Sequence, residues 1–294
     1  MQGKEGLILL DKPTGTTSFG ALSALKKTLG TKKVGHTGTL DRFAEGLLIA
    51  LSGRLTRLAP YFLSLEKEYI ASVWFGLETD TLDPEGSVCR KGEVPDLDRI
   101  TQSLNAFKGE IDQVPPDYSA VHLKGKRAYK LARGGVALAI AARKVFVHRI
   151  VILSYDPPEL ILRIRCSKGT YIRSIARDLG REAGTCAYLS SLKRVAIGRF
   201  RLRDAVKPLD FDPSLHIQKP AEFVKQIPSL EAKRIKSEAV SDIRHGVPPG
   251  DTVFENPPQS DGEFALFDGE GRLLAVTRRE LGRYSYRAVI AGGV

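Results

Sequence analysis

Leu160-Ile161-Leu162-Arg163-Ile164-Arg165-Cys166-Ser167-Lys168-Gly169-Thr170-Tyr171-Ile172-Arg173 is the stretch that decides the architecture. Leu160, Leu162, Ile164 and Cys166 recur every second residue while Arg163 and Arg165 point the other way, the pattern of a half-buried strand. Ser167 to Thr170 is a turn, with Thr170 expected as N-cap of the helix that follows. In that helix Ile172, Ile175, Ala176 and Leu179 face inward, and Arg173, Arg177 and Arg181 form an i, i+4, i+8 stripe on another face. Outward from this core, Val145–Leu153, Glu68–Phe75 (stopped by Gly76), Leu47–Leu51 and Leu7–Leu10 read as further strands. Ser18 is expected to cap a helix carrying Leu22, Leu25 and Leu29, with Gly30 as its stop. Asp96 caps another, with Leu97, Ile100, Leu104 and Phe107 on one face. Strands outnumber helices and do not alternate strictly with them, so the class is α+β with a mixed sheet rather than a doubly wound one.

Pro208, Pro213 and Pro220 mark residues 206–230 as a linker region between a domain at 1–205 and a small β-rich one at 231–294. In the latter, Phe264–Phe267 and Arg272–Val276 flank the hairpin signal Asp268-Gly-Glu-Gly271, and Tyr284–Ile290 is a third strand. The 294 residues are 42% hydrophobic and 27% charged, which excludes collagen-like, low-complexity and disordered chains. The longest apolar run, residues 136–142, is far short of a membrane span, and Leu7–Leu10 is too short for a secretory core. Cys89, Cys166 and Cys186 are odd in number and never in a C-x-x-C pair, which argues against a disulfide framework or structural zinc and for a reducing cytoplasm.

The net charge of +11 is segregated. Between Tyr118 and Tyr155 there is no acid but eight cations: Lys124, Lys126, Arg127, Lys130, Arg133, Arg143, Lys144 and Arg149. Between Arg163 and Arg203, eleven cations face only Asp178 and Glu182, so the rest of the chain is net acidic. This pattern points to a polyanion-binding face. A basic membrane-surface helix fits poorly, because no basic stretch also carries a strong aromatic-apolar face.

The motifs exclude much chemistry. No His or Cys pair has ligand spacing, and Asp80, Asp83 and Glu85 do not fit a calcium loop because Pro84 and Gly86 fall in the wrong places. Neither a Walker loop, a dinucleotide fingerprint nor a G-x-S-x-G elbow is present, so no metal and no cofactor is expected. What stands out is Val34-Gly35-His36-Thr37-Gly38-Thr39-Leu40-Asp41, continuing to Ala44-Glu45-Gly46. It sets one carboxylate among glycines and hydroxyls, with an imidazole five residues earlier. Taken alone, Asp41 reads first as a turn cap and His36 as a hydrogen-bonded structural residue. The two cationic blocks and the aromatics Tyr69 and Tyr171 make the loop a candidate site.

These residues also carry a family likeness. Asp11-Lys12-Pro13-x-Gly15-x-Thr17-Ser18, Gly35-His36-Thr37-Gly38-Thr39-Leu40-Asp41 with Ala44 and Gly46-Leu47-Leu48, and Lys67-x-Tyr69 followed by Gly76-x-x-Thr79-Asp80-Thr81-x-Asp83-x-x-Gly86 resemble ordered motifs of the TruB-type tRNA pseudouridine synthases. So do Pro115-Pro116-x-x-Ser119-Ala120 with Gly125-x-Arg127-Ala128-Tyr129-x-Leu131-Ala132-Arg133, and Cys166 to Arg173 with Asp178-Leu179-Gly180 and Leu192-x-Arg194. The likeness spans about residues 6–205; Ile243-Arg244-His245-Gly246 more weakly resembles the PUA-like β domain of that family. One departure is plain: Arg42 stands where the family usually has proline directly after the aspartate. Arginine neither fixes φ nor removes a donor, and it adds a charge beside Asp41.

The resemblance implies a curved, mainly antiparallel sheet flanked by helices, with the cleft across its middle. It also implies isomerisation of uridine to pseudouridine in RNA, at uridine 55 of the tRNA T arm. Asp41 is then the catalytic residue; attack on C6, attack on C1′ and assistance to loss of the 2′ hydrogen all stay open. Tyr69 would stack on the everted base and take part in proton transfer, His36 would wedge against the displaced nucleotide, and Arg173 would pair with Asp41. Tyr171 and Leu192 match further substrate positions, with core packing as the competing role. Lys124, Lys126, Arg127, Lys130, Arg133, Lys168 and Arg194 are expected on the RNA backbone, the insertion at about 115–142 folding onto the arm. A stand-alone cytoplasmic monomer without an obligatory protein partner is implied. The competing readings are a non-catalytic RNA-binding or tRNA-folding module, which would not need Asp41, and a guide-dependent rRNA enzyme, which would need partner proteins.

Overall fold

β-branched and leucine-rich runs fold into one large sheet in the computed structural model, which describes residues 4–119, 122–123, 126–127 and 140–291, the side chains of 122, 123, 126 and 127 excepted. Its strands in chain order are β1 (Leu7–Lys12), β2 (Val34–His36), β3 (Glu45–Ser52), β4 (Lys67–Phe75), β7 (Gly109–Gln113), β10 (Arg143–Asp156), β11 (Glu159–Cys166), β12 (Ala187–Ile197) and β13 (Phe200–Arg201). Two hairpins lie apart from it, β5 (Leu77–Thr79) with β6 (Val88–Lys91), and β8 (His122–Leu123) with β9 (Lys126–Arg127). The spatial order is β1-β3-β12-β4-β11-β10-β7, with β2 on β3 and β13 on β12. Every pairing is antiparallel except β3 with β12, where Glu45 and Gly46 meet Lys193 and Arg194. The class is therefore α+β with a mainly antiparallel sheet.

The alternation in β11 decides its two faces. Leu160, Leu162, Ile164 and Cys166 are fully buried, while Arg163 and Arg165 are exposed beside Glu68 and Glu66. The unbroken apolar run in β3 is buried on both faces: Leu47, Ile49 and Leu51 enter one core, Leu48 and Ala50 another.

Helix α1 (Ser23–Leu29) buries Leu25 and Leu29 and ends at Gly30 in the left-handed region. Ser18 does not cap it. A 3-10 turn at Gly20–Leu22 comes first, Thr17 Oγ1 accepts from the Gly20 N–H, and Ser18 is drawn into the loop that holds Asp41. Helix α2 (Ala59–Leu63) is followed by α3 (Leu97–Ser103), which starts at the Asp96 cap with an Arg99 N–H bond of 2.8 Å. Ile100, Leu104 and Phe107 are buried there, whereas Leu97, in the first turn, stays exposed. Helix α4 (Ile172–Glu182) lays Ile172, Ile175, Ala176 and Leu179 on the sheet. Its N-cap is Tyr171 rather than Thr170, whose hydroxyl donates to the Ser167 carbonyl. Gln113 of β7 ties off this end, accepting from the Tyr171 N–H and donating to its carbonyl.

A second sheet is formed by β14 (Glu231–Arg234), β15 (Gly262–Phe267), β16 (Leu273–Glu280) and β17 (Arg283–Val289), in that order. Asp268 folds the β15–β16 turn by accepting from the Glu270 and Arg272 N–H groups and from Arg272 Nε. Residues 206–230, expected as a linker, are instead a packed strap. Val206 and Gln218 bond to the backbone of β1, and Phe211 is buried against Ile8 and Leu10. Phe223, Val224, Ile227 and Leu230 join one core with Leu7, Leu9 and Leu47 on one side and Phe267, Leu273 and Val276 on the other. The prolines stop regular structure without loosening the chain.

Within the insertion, Lys124, Lys130 and Arg133 lie outside the described residues, while Lys126 and Arg127 form β9. No described helix is long and apolar enough to cross a membrane.

Candidate active site

The loop between β2 and β3 carries Asp41 to the floor of a cavity of about 550 Å³ that Ser18, His36, Leu40, Thr81, Asp83 and Arg173 help to line. The loop is held at almost every residue. Thr37 N–H donates to the Ile49 carbonyl, and Ser18 Oγ both accepts from the Leu40 N–H at 2.8 Å and donates to its carbonyl at 3.0 Å. Two buried cations hold it from below. Lys12 Nζ donates to the carbonyls of Pro13, Thr16 and Ala44, at 2.9, 2.6 and 2.6 Å. Arg194 donates from Nε to Leu47 at 2.7 Å and from its terminal nitrogens to Gly38 and Thr39 at 3.2 and 3.5 Å. Only glycine fits at 46, where φ is +100° and a Cβ would meet the Arg194 carbonyl at 2.5 Å.

Arg173, in the first turn of α4, closes the other wall. Its Nε lies 2.9 Å from Asp41 Oδ2 and one terminal nitrogen 3.1 Å from Asp83 Oδ2, with further bonds to the carbonyls of Thr81 and Tyr118. Its side chain is 5% exposed, that of Asp41 37%. Asp83 in turn accepts from the Thr81 hydroxyl at 2.6 Å and the Glu85 N–H at 3.0 Å. The guanidinium is thus fixed before any substrate arrives, and Asp41 is its solvent-facing partner.

Burial raises the Asp41 carboxyl above the ordinary range; Arg173 pulls it down, Asp83 adds to the rise, and Lys12 opposes it. Burial also lowers Lys12 to about 8 and pushes the Tyr69 phenol up to about 12, so Tyr69 is a neutral hydroxyl beside Arg194. The His36 imidazole is lowered by burial, then by Arg194 and Lys26, which favours the uncharged ring. A neutral aromatic ring at the cavity edge suits contact with a base face.

The structure brings together Asp41, His36 and Arg173 around the cavity, with Tyr69 beneath the loop in one core with Leu40 and Ala44. Leu192 belongs to that same core and is 7% exposed, the packing role. Tyr171 is half-buried under the Arg143 guanidinium, 4.7 Å above its ring, and Lys168 is exposed in the adjacent turn. Arg194 does not fit the expected phosphate-contacting role: it is among the most deeply buried side chains, and its bonds go to loop carbonyls. The arginine stripe of α4 is likewise committed, Arg173 to Asp41 and Asp83, Arg177 to Asp178 and Arg181 to Glu78. Arg149, Lys168 and Arg199 stay exposed without a carboxylate within 4 Å among the described residues.

The sequence reading left two groups without a role. Asp83 shares the arginine of Asp41 from 42 positions along the chain, with only a short acidic turn to signal it. Phe19 is 67% exposed on the cavity rim, with Lys26 Nζ 3.7 Å from its ring centroid. A larger cavity of about 860 Å³ lies against the C-terminal sheet; of its four arginines, 278, 279 and 287 face Glu280, Asp261 and Glu263, and Arg57 donates to the Val289 carbonyl. Among the described residues, no group of three or more His, Cys, Asp or Glu side chains is placed to hold a metal ion.

The site is thus a solvent-facing carboxylate, Asp41, clamped by a buried arginine that it shares with the buried Asp83, in a cleft next to a mainly antiparallel sheet. The particular family follows from likeness to known proteins. The N-terminal domain of the TruB family pseudouridylate synthases matches residues 26–172. tRNA pseudouridine synthase B of Borreliella afzelii (strain PKo) is 44% identical over 96% of this chain and 98% of its own. The protein of that name from Borreliella burgdorferi (strain ZS7) is 46% identical over the same shares. The crystal structure of a Cbf5-Nop10-Gar1 complex contains a chain that superposes with a TM-score of 0.73 at 25% identity, covering 100% of this chain and 85% of that one. The chain belongs to the TruB family of pseudouridylate synthases.

Proposed function

We propose that this protein converts uridine to pseudouridine in tRNA, at uridine 55 of the T loop, as a stand-alone cytoplasmic monomer with Asp41 as its catalytic residue. The observation that carries the reading is the Asp41–Arg173–Asp83 constellation on the floor of a nucleotide-sized cavity. The reaction breaks the C1′–N1 bond, turns the base and joins C5 to C1′; the C5 proton is lost and N1 gains one, so atoms balance without an oxidant or a co-substrate. Arg173 keeps Asp41 ionised against its desolvation, as a nucleophile or base requires. The target base must leave its stack to reach Asp41, at a cost of a few kcal/mol. Contact with Tyr69 and His36 offsets part of that, at roughly 1–3 kcal/mol per stacked base.

Full-length relatives named for tRNA favour that substrate over a guide-dependent one. Purified protein incubated with an unmodified tRNA transcript, followed by position-by-position mapping, is expected to place pseudouridine at uridine 55. No pseudouridine anywhere in the transcript overturns the activity; product confined to another position overturns the site.

A further inference from the structure

Arg42 sits directly after Asp41 on the cavity rim, and its side chain is 64% exposed. Its backbone and side chain are both engaged with Gly15. The Arg42 carbonyl accepts from the Gly15 N–H at 2.9 Å, and Arg42 Nε donates to the Gly15 carbonyl at 3.0 Å. The tie a proline would make by stiffening the backbone is thus made here by hydrogen bonds. It also aims the guanidinium: one N–H is used, and the two terminal nitrogens have no hydrogen-bond partner among the described residues. An acid faces it: the Glu85 carboxylate is 3.8 Å from Arg42 Nε and 49% exposed, a loose pair across the cavity mouth. Glu85 is held in place through its own N–H on Asp83. A planar cation with free donors, fixed at an opening and faced by an exposed acid, is a site for a second anion that exchanges with that acid.

We infer that Arg42 is a phosphate-binding residue of the substrate site: it leaves Glu85 and grips the backbone phosphate next to the everted nucleotide. The inference rests on the RNA substrate proposed above. Geometry supplies the match, because a nucleotide whose glycosidic carbon lies at Asp41 carries its phosphate one ribose away, at the rim where the next residue in the chain points. Glu85 holds the guanidinium in line while the site is empty and yields to a stronger, bidentate acceptor.

The test is the salt dependence of tRNA binding by wild type, Arg42→Gln and Glu85→Gln, with pseudouridine formation by wild type measured on the same preparation. Arg42→Gln is expected to weaken binding about five- to tenfold at low salt and to flatten the slope of log K against log salt by about 0.7, one unpaired-strand phosphate. Glu85→Gln, which removes the competitor, is expected to tighten binding about two- to fivefold at low salt. An unchanged slope in Arg42→Gln overturns the inference, and so does Glu85→Gln weakening binding in parallel with Arg42→Gln, which would make the pair purely structural. Wild type that binds tRNA but forms no pseudouridine overturns the proposed activity instead, so the two failures are separable.

Discussion

Arg173 sets the ionisation of Asp41 as well as its position, and the two roles separate by pH. With 2.9 Å between Nε and Oδ2, the charge centres lie about 4 Å apart, worth ~4 kcal/mol at an effective dielectric of about 20. The Asp41 side chain is 37% exposed, so water screens more than half of this and leaves ~1.5–2 kcal/mol. Removing the cation takes away the main influence that lowers the Asp41 pKa, so that pKa rises. Burial already holds that pKa above the ordinary range, so the change adds to the rise and less carboxylate is present at neutral pH. Arg173→Gln alone would leave Asp83, 7% exposed, as an unpaired buried charge at ~3–5 kcal/mol, so the comparison is Asp83→Asn against Asp83→Asn/Arg173→Gln. The assay is kcat/KM against pH, read by tritium release from C5-labelled uridine in tRNA. The acid limb of the double variant should lie at higher pH than that of Asp83→Asn. A limb that does not move while the plateau falls would show that Arg173 only positions the carboxylate, and would refute the electrostatic argument.

Asp41→Asn should abolish product while tRNA affinity stays within about threefold, because the phosphate contacts carry most of the binding; comparable turnover by the variant removes Asp41 from the chemistry. Tyr69→Phe keeps the ring but loses the hydroxyl beside Arg194, and is expected to lower kcat by about 10²-fold or more with little change in KM. An unchanged kcat would confine Tyr69 to stacking. Arg194→Met strands the carbonyls of Gly38, Thr39 and Leu47, and should destabilise the protein by ~3 kcal/mol without altering the salt slope of tRNA binding. A flatter slope there would return Arg194 to the phosphate surface. Gly46→Ala puts a methyl group 2.5 Å from the Arg194 carbonyl at a φ of +100°, and a Tm lower by about 5–10 °C is expected from calorimetry.

The strands were legible because their signal is local. β11 alternates, β3 is unbroken apolar sequence, and both take the faces those patterns demand. Asp41 stood out as a candidate only through its company, the cationic blocks, the aromatics and the family likeness, since a lone acid among glycines reads first as a turn cap. What could not be read is what depends on long-range crossings. Arg194 sits in Leu192-Lys193-Arg194-Val195, a run that fits either face of a strand. Its burial follows from the single parallel pairing in the large sheet, which sets it against Gly46 some 150 residues earlier. The basic block that contains the α4 stripe counted wholly toward a polyanion-binding face because charge counting cannot see Glu78 and Asp83 arriving from the β5–β6 hairpin region. Caps at Ser18 and Thr170 failed for one reason: a hydroxyl near a helix start also serves any loop that reaches it first, as Leu40 and Ser167 do.

The strap at 206–230 threads side chains into a core that both sheets own in common. Severing the last sixty-odd residues would therefore expose a greasy scar on the catalytic half rather than release a tidy module, and heating the whole chain should produce one melting event, not two. Such welding also fixes the spacing between the reaction cleft and the far sheet, making the molecule a rigid caliper that any folded RNA must fit as a single shape.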